Sequence, residues 1–250
     1  MVDSVSLSMT GHDPYGRAIR DHHEGEREEP LLDVDGAETR EHPIELFYFD
    51  EFDPAEDSDA KWIAEWLDGP LLDIGAGAGQ HALYLQERFE TVAIDVSEHL
   101  VAVMRDRGVA DARVADMFSL RESFERDRFG SALANGTQLG LAGSMRGLSE
   151  FLGDLAHVTT PDGTAVVDAH DPIRDGVTDI LGYRSDPTPG LAHRTYHFEY
   201  EDDVGPTLQF RLFSPDRLRE AAVGTGWEVA EIRRGEDDAD AYYRAALVKP

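Results

Sequence analysis

The chain has 250 residues, 51 acidic against 23 basic side chains, a formal net charge of −28 and no cysteine. That length fits one large domain or two small ones, and the lack of cysteine excludes disulfides, thiolate metal sites and a cysteine nucleophile. No apolar run approaches the ~20 residues of a membrane span. Met1 to Thr10 lacks a basic stretch followed by a long apolar one, so no signal peptide is expected and a soluble, cytoplasmic protein is.

Hydrophobic residues make up 41% of the chain and fall in periodic blocks, which argues against disorder despite the charge. Lys61 and Lys249 are the only lysines. An acidic, arginine-rich surface that stays soluble in concentrated salt resembles the proteins of extreme halophiles. At 1 M salt the Debye length is only ~3 Å, so self-repulsion is largely screened. The same charge argues against a nucleic-acid partner.

In chain order, residues 11–28 read as a polar helix with few apolar anchors. Residues 31–41 read as a hairpin turning at Asp35-Gly36. An aromatic cluster follows, Phe47, Tyr48, Phe49 and Phe52. The next helix covers 58–68, with Ser58 as its cap, Trp62, Ile63, Trp66 and Leu67 as its apolar stripe and Gly69-Pro70 as its stop. From there strands alternate with helices: strands over 70–74, 91–95, 112–116, 129–135 and 164–168, helices near 79–89, 97–107 and 144–158. Thr160 to Gly163 reads as a type I turn before the fifth strand. This alternation predicts a parallel sheet covered on both faces. Residues 193–200 and 207–213 read as a second hairpin. Ser214-Pro215 opens a helix to Val223, and 226–233 and 242–248 are two more strands. An acidic turn spans 236–240.

The sharpest motif is Leu71-Leu72-Asp73-Ile74-Gly75-Ala76-Gly77-Ala78-Gly79, a strand that runs through a glycine-rich turn into a helix. Such a turn lets backbone N–H groups approach a ligand. The next strand ends in Asp95, placed to accept hydrogen bonds from both hydroxyls of a ribose. A dinucleotide fingerprint would need glycine where Gln80 stands. Asp73 would also repel a pyrophosphate, whereas beside an ammonium or sulfonium group a carboxylate is favourable.

On these residues the chain, from about 60 to its end, resembles class I S-adenosylmethionine-dependent methyltransferases. The resemblance implies a Rossmann-like α/β fold: a mostly parallel seven-stranded sheet with an antiparallel last strand. It implies S-adenosylmethionine as cofactor, held by Asp73, Gly75, Ala76, Gly77, Gly79, Asp95 and Val96, with Asp116 and Met117 at the adenine and Asn135 and Gly136 beside the methyl donor. Asn135 to Gly143 and the hairpin 193–213 resemble a group of small-molecule methyltransferases. The expected organisation is an N-terminal lid or substrate segment, 1–57, and a methyltransferase domain, 58–250, with the hairpin 193–213 inserted.

The substrate side rests on weaker patterns. His170 and His42 are candidate general bases for an O–H or N–H acceptor. Tyr48, Asp168, Arg194, Tyr196 and Arg211 are candidate substrate contacts, each weighed against a packing or surface role. The hairpin also suits a homodimer surface. His22-His23 lacks convergent partners, so no metal is expected. The expected function is methyl transfer to an unidentified small molecule. The alternatives are a non-catalytic cofactor-binding module, a nicotinamide-dependent oxidoreductase and an RNA methyltransferase.

Overall fold

The computed structural model describes residues 12–235 and 240–250. The expectations for Met1 to Thr10 and for most of the acidic turn 236–240 lie outside them. Helix α1 (Pro14–Glu24) is capped by Asp13, which accepts the Gly16 N–H, and closes on a left-handed Gly25. It is shorter than the helix expected over 11–28. Ala18 and Ile19 are nevertheless fully buried, so the segment is better anchored than its polar composition suggests.

Strands β1 (Leu32–Asp35) and β2 (Glu38–Glu41) form the hairpin turning at Asp35-Gly36. Phe47, Tyr48 and Phe49 lie on a π-helical turn, Glu45–Phe49, which leaves Leu46 and Phe47 exposed and turns Tyr48 inward, whereas Phe52 is buried beyond it against α2. Helix α2 (Ser58–Trp66) is capped by Asp57 rather than Ser58; the Asp57 carboxylate accepts the Asp59 N–H.

Then come β3 (Leu71–Ile74), α3 (Gln80–Leu85), β4 (Thr91–Asp95), α4 (Glu98–Asp106), β5 (Ala112–Val114), α5 (Leu120–Ser123), β6 (Phe129–Ala134), α6 (Met145–Val158) and β7 (Thr159–His170). The expected turn at 160–163 lies inside β7, which pairs with β6 at Thr159 and again only from Thr164. Residues 160–163 therefore bulge out of the ladder without ending the strand.

The chain continues through β8 (Tyr183–Ser185), β9 (Leu191–Tyr200), β10 (Asp203–Val204), β11 (Leu208–Phe213), α7 (Pro215–Ala222), β12 (Glu228–Arg234) and β13 (Tyr242–Val248). The main sheet has seven strands in the order β12-β13-β7-β6-β3-β4-β5. β3 to β7 are mutually parallel, and β13 runs antiparallel between β7 and β12. This is the Rossmann-like arrangement of class I methyltransferases.

The two hairpins share one second sheet of six strands. Its spine is β9, which pairs with β11 and β8 along its first half and with β1 and β10 along its second. The N-terminal segment thus closes a sheet with the hairpin of β9 and β11. One apolar cluster joins this sheet to the main domain: Ile19 of α1, Tyr196, Phe198 and Tyr200 of β9, Ala78 of the glycine turn, and Leu100 and Val103 of α4. Burial of that apolar surface holds the second sheet over the carboxyl end of β3 and β4. Among the described residues no helix is long and apolar enough to cross a membrane.

Candidate functional site

The turn after β3 is built on glycines in left-handed conformation. Gly77 and Gly79 have φ of +58° and +82°, where a side chain would be strained. Space is also filled there. A Cβ on Gly77 would lie 3.1 Å from the Tyr48 ring, and one on Gly75 would collide with the Gln138 side chain. Tyr48 and Gln138 therefore lie directly on the turn, one from the N-terminal segment and one from the segment after β6.

Two carboxylates face this turn. The Gly77 N–H donates to Asp95 Oδ2 at 3.2 Å and the Ser97 N–H to Oδ1 at 3.0 Å. Burial raises the Asp95 carboxyl to about 6 against these hydrogen bonds. Asp73 is 2% exposed, and its Oδ2 has no hydrogen-bond partner among the described residues. Burial, and then the negative Asp95, push its carboxyl up to about 7. Leaving a buried carboxylate oxygen unpaired is costly, so Asp73 is poised for a cationic partner.

Ala76 ties the turn to β4 through its N–H to Ile94 O, and Val96 is exposed just beyond Asp95. Asp116 accepts the Phe118 N–H at 2.9 Å and so caps a short turn that buries Met117.

The other candidates fall into two groups. Asp168 is fully buried beneath the 135–143 segment. It accepts the Gly136 and Thr137 N–H groups at 2.7 and 2.5 Å and the Tyr242 hydroxyl, whose oxygen also lies 3.3 Å from Asn135 Oδ1. With its oxygens so engaged, Asp168 holds the loop in shape and is not placed to contact substrate. That corrects the expectation for it.

His170, Arg194 and Arg211 line a small cleft with Thr137, Gly140, Phe210 and Leu212. Burial, reinforced by Arg194, drives the His170 imidazole down to about 4. That shift keeps the imidazole neutral and lowers its basicity, so it weakens the case for His170 as the general base. Tyr196 is 5% exposed and stacks on Phe210 below Arg194, so it packs rather than reads a substrate. Arg211 is bound to Asp186 and His193.

His42 is buried and held from both sides, Nδ1 to Asp33 Oδ1 and Nε2 to Tyr48 Oη, each at 2.9 Å. Sequence reasoning misses Asp33, Gln138 and Arg107. Arg107, after α4, donates to both Tyr48 O and Ala78 O at 2.8 Å, joining the aromatic turn to the glycine turn. Charged hydrogen bonds of this kind contribute about 1.5–3 kcal/mol each. Arg107→Met should therefore raise amide exchange across 45–50 at least ~tenfold; unchanged protection would mean that aromatic packing alone holds the turn.

Residues 71–163 match a family model described as a methyltransferase domain. The structure is similar to that of an S-adenosylmethionine-dependent methyltransferase from Bacteroides fragilis in complex with S-adenosyl-L-homocysteine. The identity is 26%, the TM-score 0.76, and 95% of each chain is covered. It is similar in fold to the CcbJ methyltransferase of Streptomyces caelestis (17% identity, TM-score 0.59, 79% of this chain and 96% of that one). It is likewise similar in fold to the sugar N-methyltransferase KedS8 of a Streptoalloteichus species (18%, 0.56, 79% and 88%). No curated protein matches the sequence. The chain thus carries a methyltransferase domain over residues 71–163, and its fold is that of S-adenosylmethionine-dependent methyltransferases.

Proposed function

We propose that the glycine turn, Asp73 and Asp95 bind S-adenosylmethionine, and that its methyl group passes to a small-molecule acceptor seated between Tyr48, the 135–143 segment and the β9–β11 hairpin. The observation that carries this reading is Asp73, a buried carboxylate with one unpaired oxygen in the strand that feeds the glycine turn. A phosphate there would meet a negative charge; the ammonium of an amino-acid-bearing cofactor would neutralise it.

Bound S-adenosylmethionine supplies an intrinsically electrophilic methyl group. The chain supplies the rest. Asp95 keeps free lone pairs for the ribose hydroxyls, Asp116 and Met117 flank the adenine side, and Asn135 and Gly136 border the donor side. Tyr48 and Gln138 exclude water from the turn, and alignment of the two reactants supplies most of the acceleration. Neutral His170 offers a hydrogen bond at the acceptor cleft. The acidic surface we read as an adaptation to concentrated salt.

Asp95→Ala should weaken S-adenosylmethionine at least ~tenfold, because two charge-assisted hydrogen bonds to the ribose are lost. Isothermal titration at matched salt measures it. Equal affinity in the variant would remove Asp95 from the site, and no binding to the wild-type protein would refute the cofactor assignment.

A further inference from the structure

The second sheet carries a continuous chain of hydrogen bonds that ends on the glycine turn. Arg194 Nη2 donates to Asp33 Oδ2 at 3.1 Å. Asp33 Oδ1 faces His42 Nδ1, and His42 Nε2 faces Tyr48 Oη, each at 2.9 Å. Tyr15 Oη donates to Tyr48 Oη at 2.7 Å.

Donor and acceptor capacities fix the direction. An Asp33 carboxylate that takes the Arg194 N–H on one oxygen accepts on the other, so a neutral His42 carries its proton on Nδ1 and accepts on Nε2. Tyr15 already donates to Tyr48, so the Tyr48 proton points to His42. The Tyr48 oxygen then has one lone pair left, on a half-buried residue whose ring rests on Gly77. An Asp–His–Tyr series oriented in this way is a proton sink rather than a packing contact.

We propose that Tyr48, His42 and Asp33 take the proton of the methyl acceptor, and that the acceptor is therefore a hydroxyl compound. The proposal rests on the cofactor reading above. A neutral amine attacks with its own lone pair and can lose its proton afterwards, whereas a hydroxyl is a poor nucleophile until its proton moves. In the transfer, an oxygen–carbon bond forms to the methyl group and the carbon–sulfur bond breaks, its electron pair staying on sulfur. The acceptor proton moves to Tyr48 Oη as the Tyr48 proton moves to His42 Nε2. The product is a methyl ether beside an imidazolium paired with Asp33. Tyr48 is the catalytic residue that touches the acceptor; His42, Asp33 and Arg194 act through it.

The groups that face this chain are Tyr15 from α1, Asp33 from β1, Asp95 from β4, and Arg194 and Tyr196 from β9. Burial raises the Tyr48 hydroxyl well above the usual tyrosine range, and the negative Asp33 and Asp95 oppose its ionisation. A sulfonium charge placed beside it acts the other way.

Two measurements test this without knowing the acceptor. In the full-length protein, nitrogen NMR should find His42 as the Nδ1–H tautomer, and Asp33→Asn should abolish that preference. An Nε2–H tautomer in the wild-type protein would reverse the chain and overturn the proposal. Ultraviolet titration of tyrosine should then be compared with S-adenosylmethionine and with S-adenosylhomocysteine, which lacks the sulfonium charge. One tyrosine should ionise at least ~1 pH unit lower with the sulfonium, and Tyr48→Phe, which keeps the ring on Gly77, should remove that difference. Binding of both ligands with the same titration in wild type and Tyr48→Phe overturns the relay and leaves the cofactor reading intact. Failure of S-adenosylmethionine to bind overturns both. Methyl-labelled cofactor offered to mixed phenols, hydroxy acids and amines should label oxygen; label on nitrogen overturns the hydroxyl assignment.

Discussion

Asp73→Asn is expected to stabilise the protein without ligand at pH 8 and to weaken S-adenosylmethionine binding at least ~tenfold. The carboxyl of Asp73 sits at about 7 in the fold against 3.8 as its ordinary value, because burial and Asp95 both oppose its charge. A group with a raised folded pKa contributes stability that is complete below its unfolded pKa and is lost as pH climbs through the folded one. The window is therefore pH 4 to 7, where the fold must accept a buried charge. Three pH units at ~1.36 kcal/mol each bound the loss at about 4 kcal/mol. Asparagine has nothing to ionise. Thermal melting of the variant should decline less across that window than that of the wild type, the remainder coming from Asp95, with a gain of ~5–10 °C at pH 8 for a chain of this size. A variant that melts below the wild type at pH 8 would show that Asp73 is already compensated in the fold.

The same shift predicts proton release on binding. An ammonium beside Asp73 favours its charged form and draws its pKa back down. Titration of S-adenosylmethionine at pH 6–7 should then expel up to one proton, read as a heat that changes with the ionisation enthalpy of the buffer. Asp73→Asn should abolish most of that dependence. Asp95, raised to about 6, contributes the remainder.

The main sheet is legible in the sequence because its signals are local. Strand, glycine turn and helix around Asp73 to Gly79 follow one another directly, and Asp95 falls where the next parallel strand must end. The second sheet is not legible. Leu32–Asp35 and Leu191–Tyr200 each read as part of an ordinary hairpin, and no periodicity tells that Asp33 will pair opposite Phe198 across the chain. For the same reason the Asp33–His42 contact is invisible in sequence, since both residues are spread among other acids and histidines. Asp168 misleads in the opposite way. An acid at a strand end beside a histidine suggests a substrate contact, and only the structure reveals the two N–H groups and the hydroxyl that occupy it. His170 reads as a base because sequence carries no information on burial, and burial shifts its imidazole downward.

The melting temperature should rise by at least ~10 °C between 0.1 and 2 M KCl, an effect of about 3 kcal/mol or more for a chain of this size. The net charge of −28 is not neutralised locally. Some arginines are taken up in half-buried pairs, Arg233 and Arg244 on Asp59, Arg194 on Asp33, Arg211 on Asp186 and Arg234 on Asp171, and others such as Arg113, Arg146 and Arg219 pair with exposed acids, which still leaves the acids in large excess. Acids such as Glu24, Glu26, Glu28 and Glu29 stand exposed beside one another. At 0.1 M salt the Debye length is ~10 Å, so each exposed acid feels several others; at molar salt it is ~3 Å and they are independent. The folded chain holds these charges closer together than the unfolded one, so screening favours the fold. Chloride and sulfate compared at equal ionic strength separate screening from the general exclusion of salts that strengthen burial. Screening predicts that most of the gain is complete by about 1 M with either anion. It also predicts that Glu28→Lys with Glu29→Lys raises the melting temperature at 0.1 M more than at 2 M. A melting temperature that is flat with salt, or a pair of substitutions with the same effect at both concentrations, would show that charge repulsion does not limit this fold.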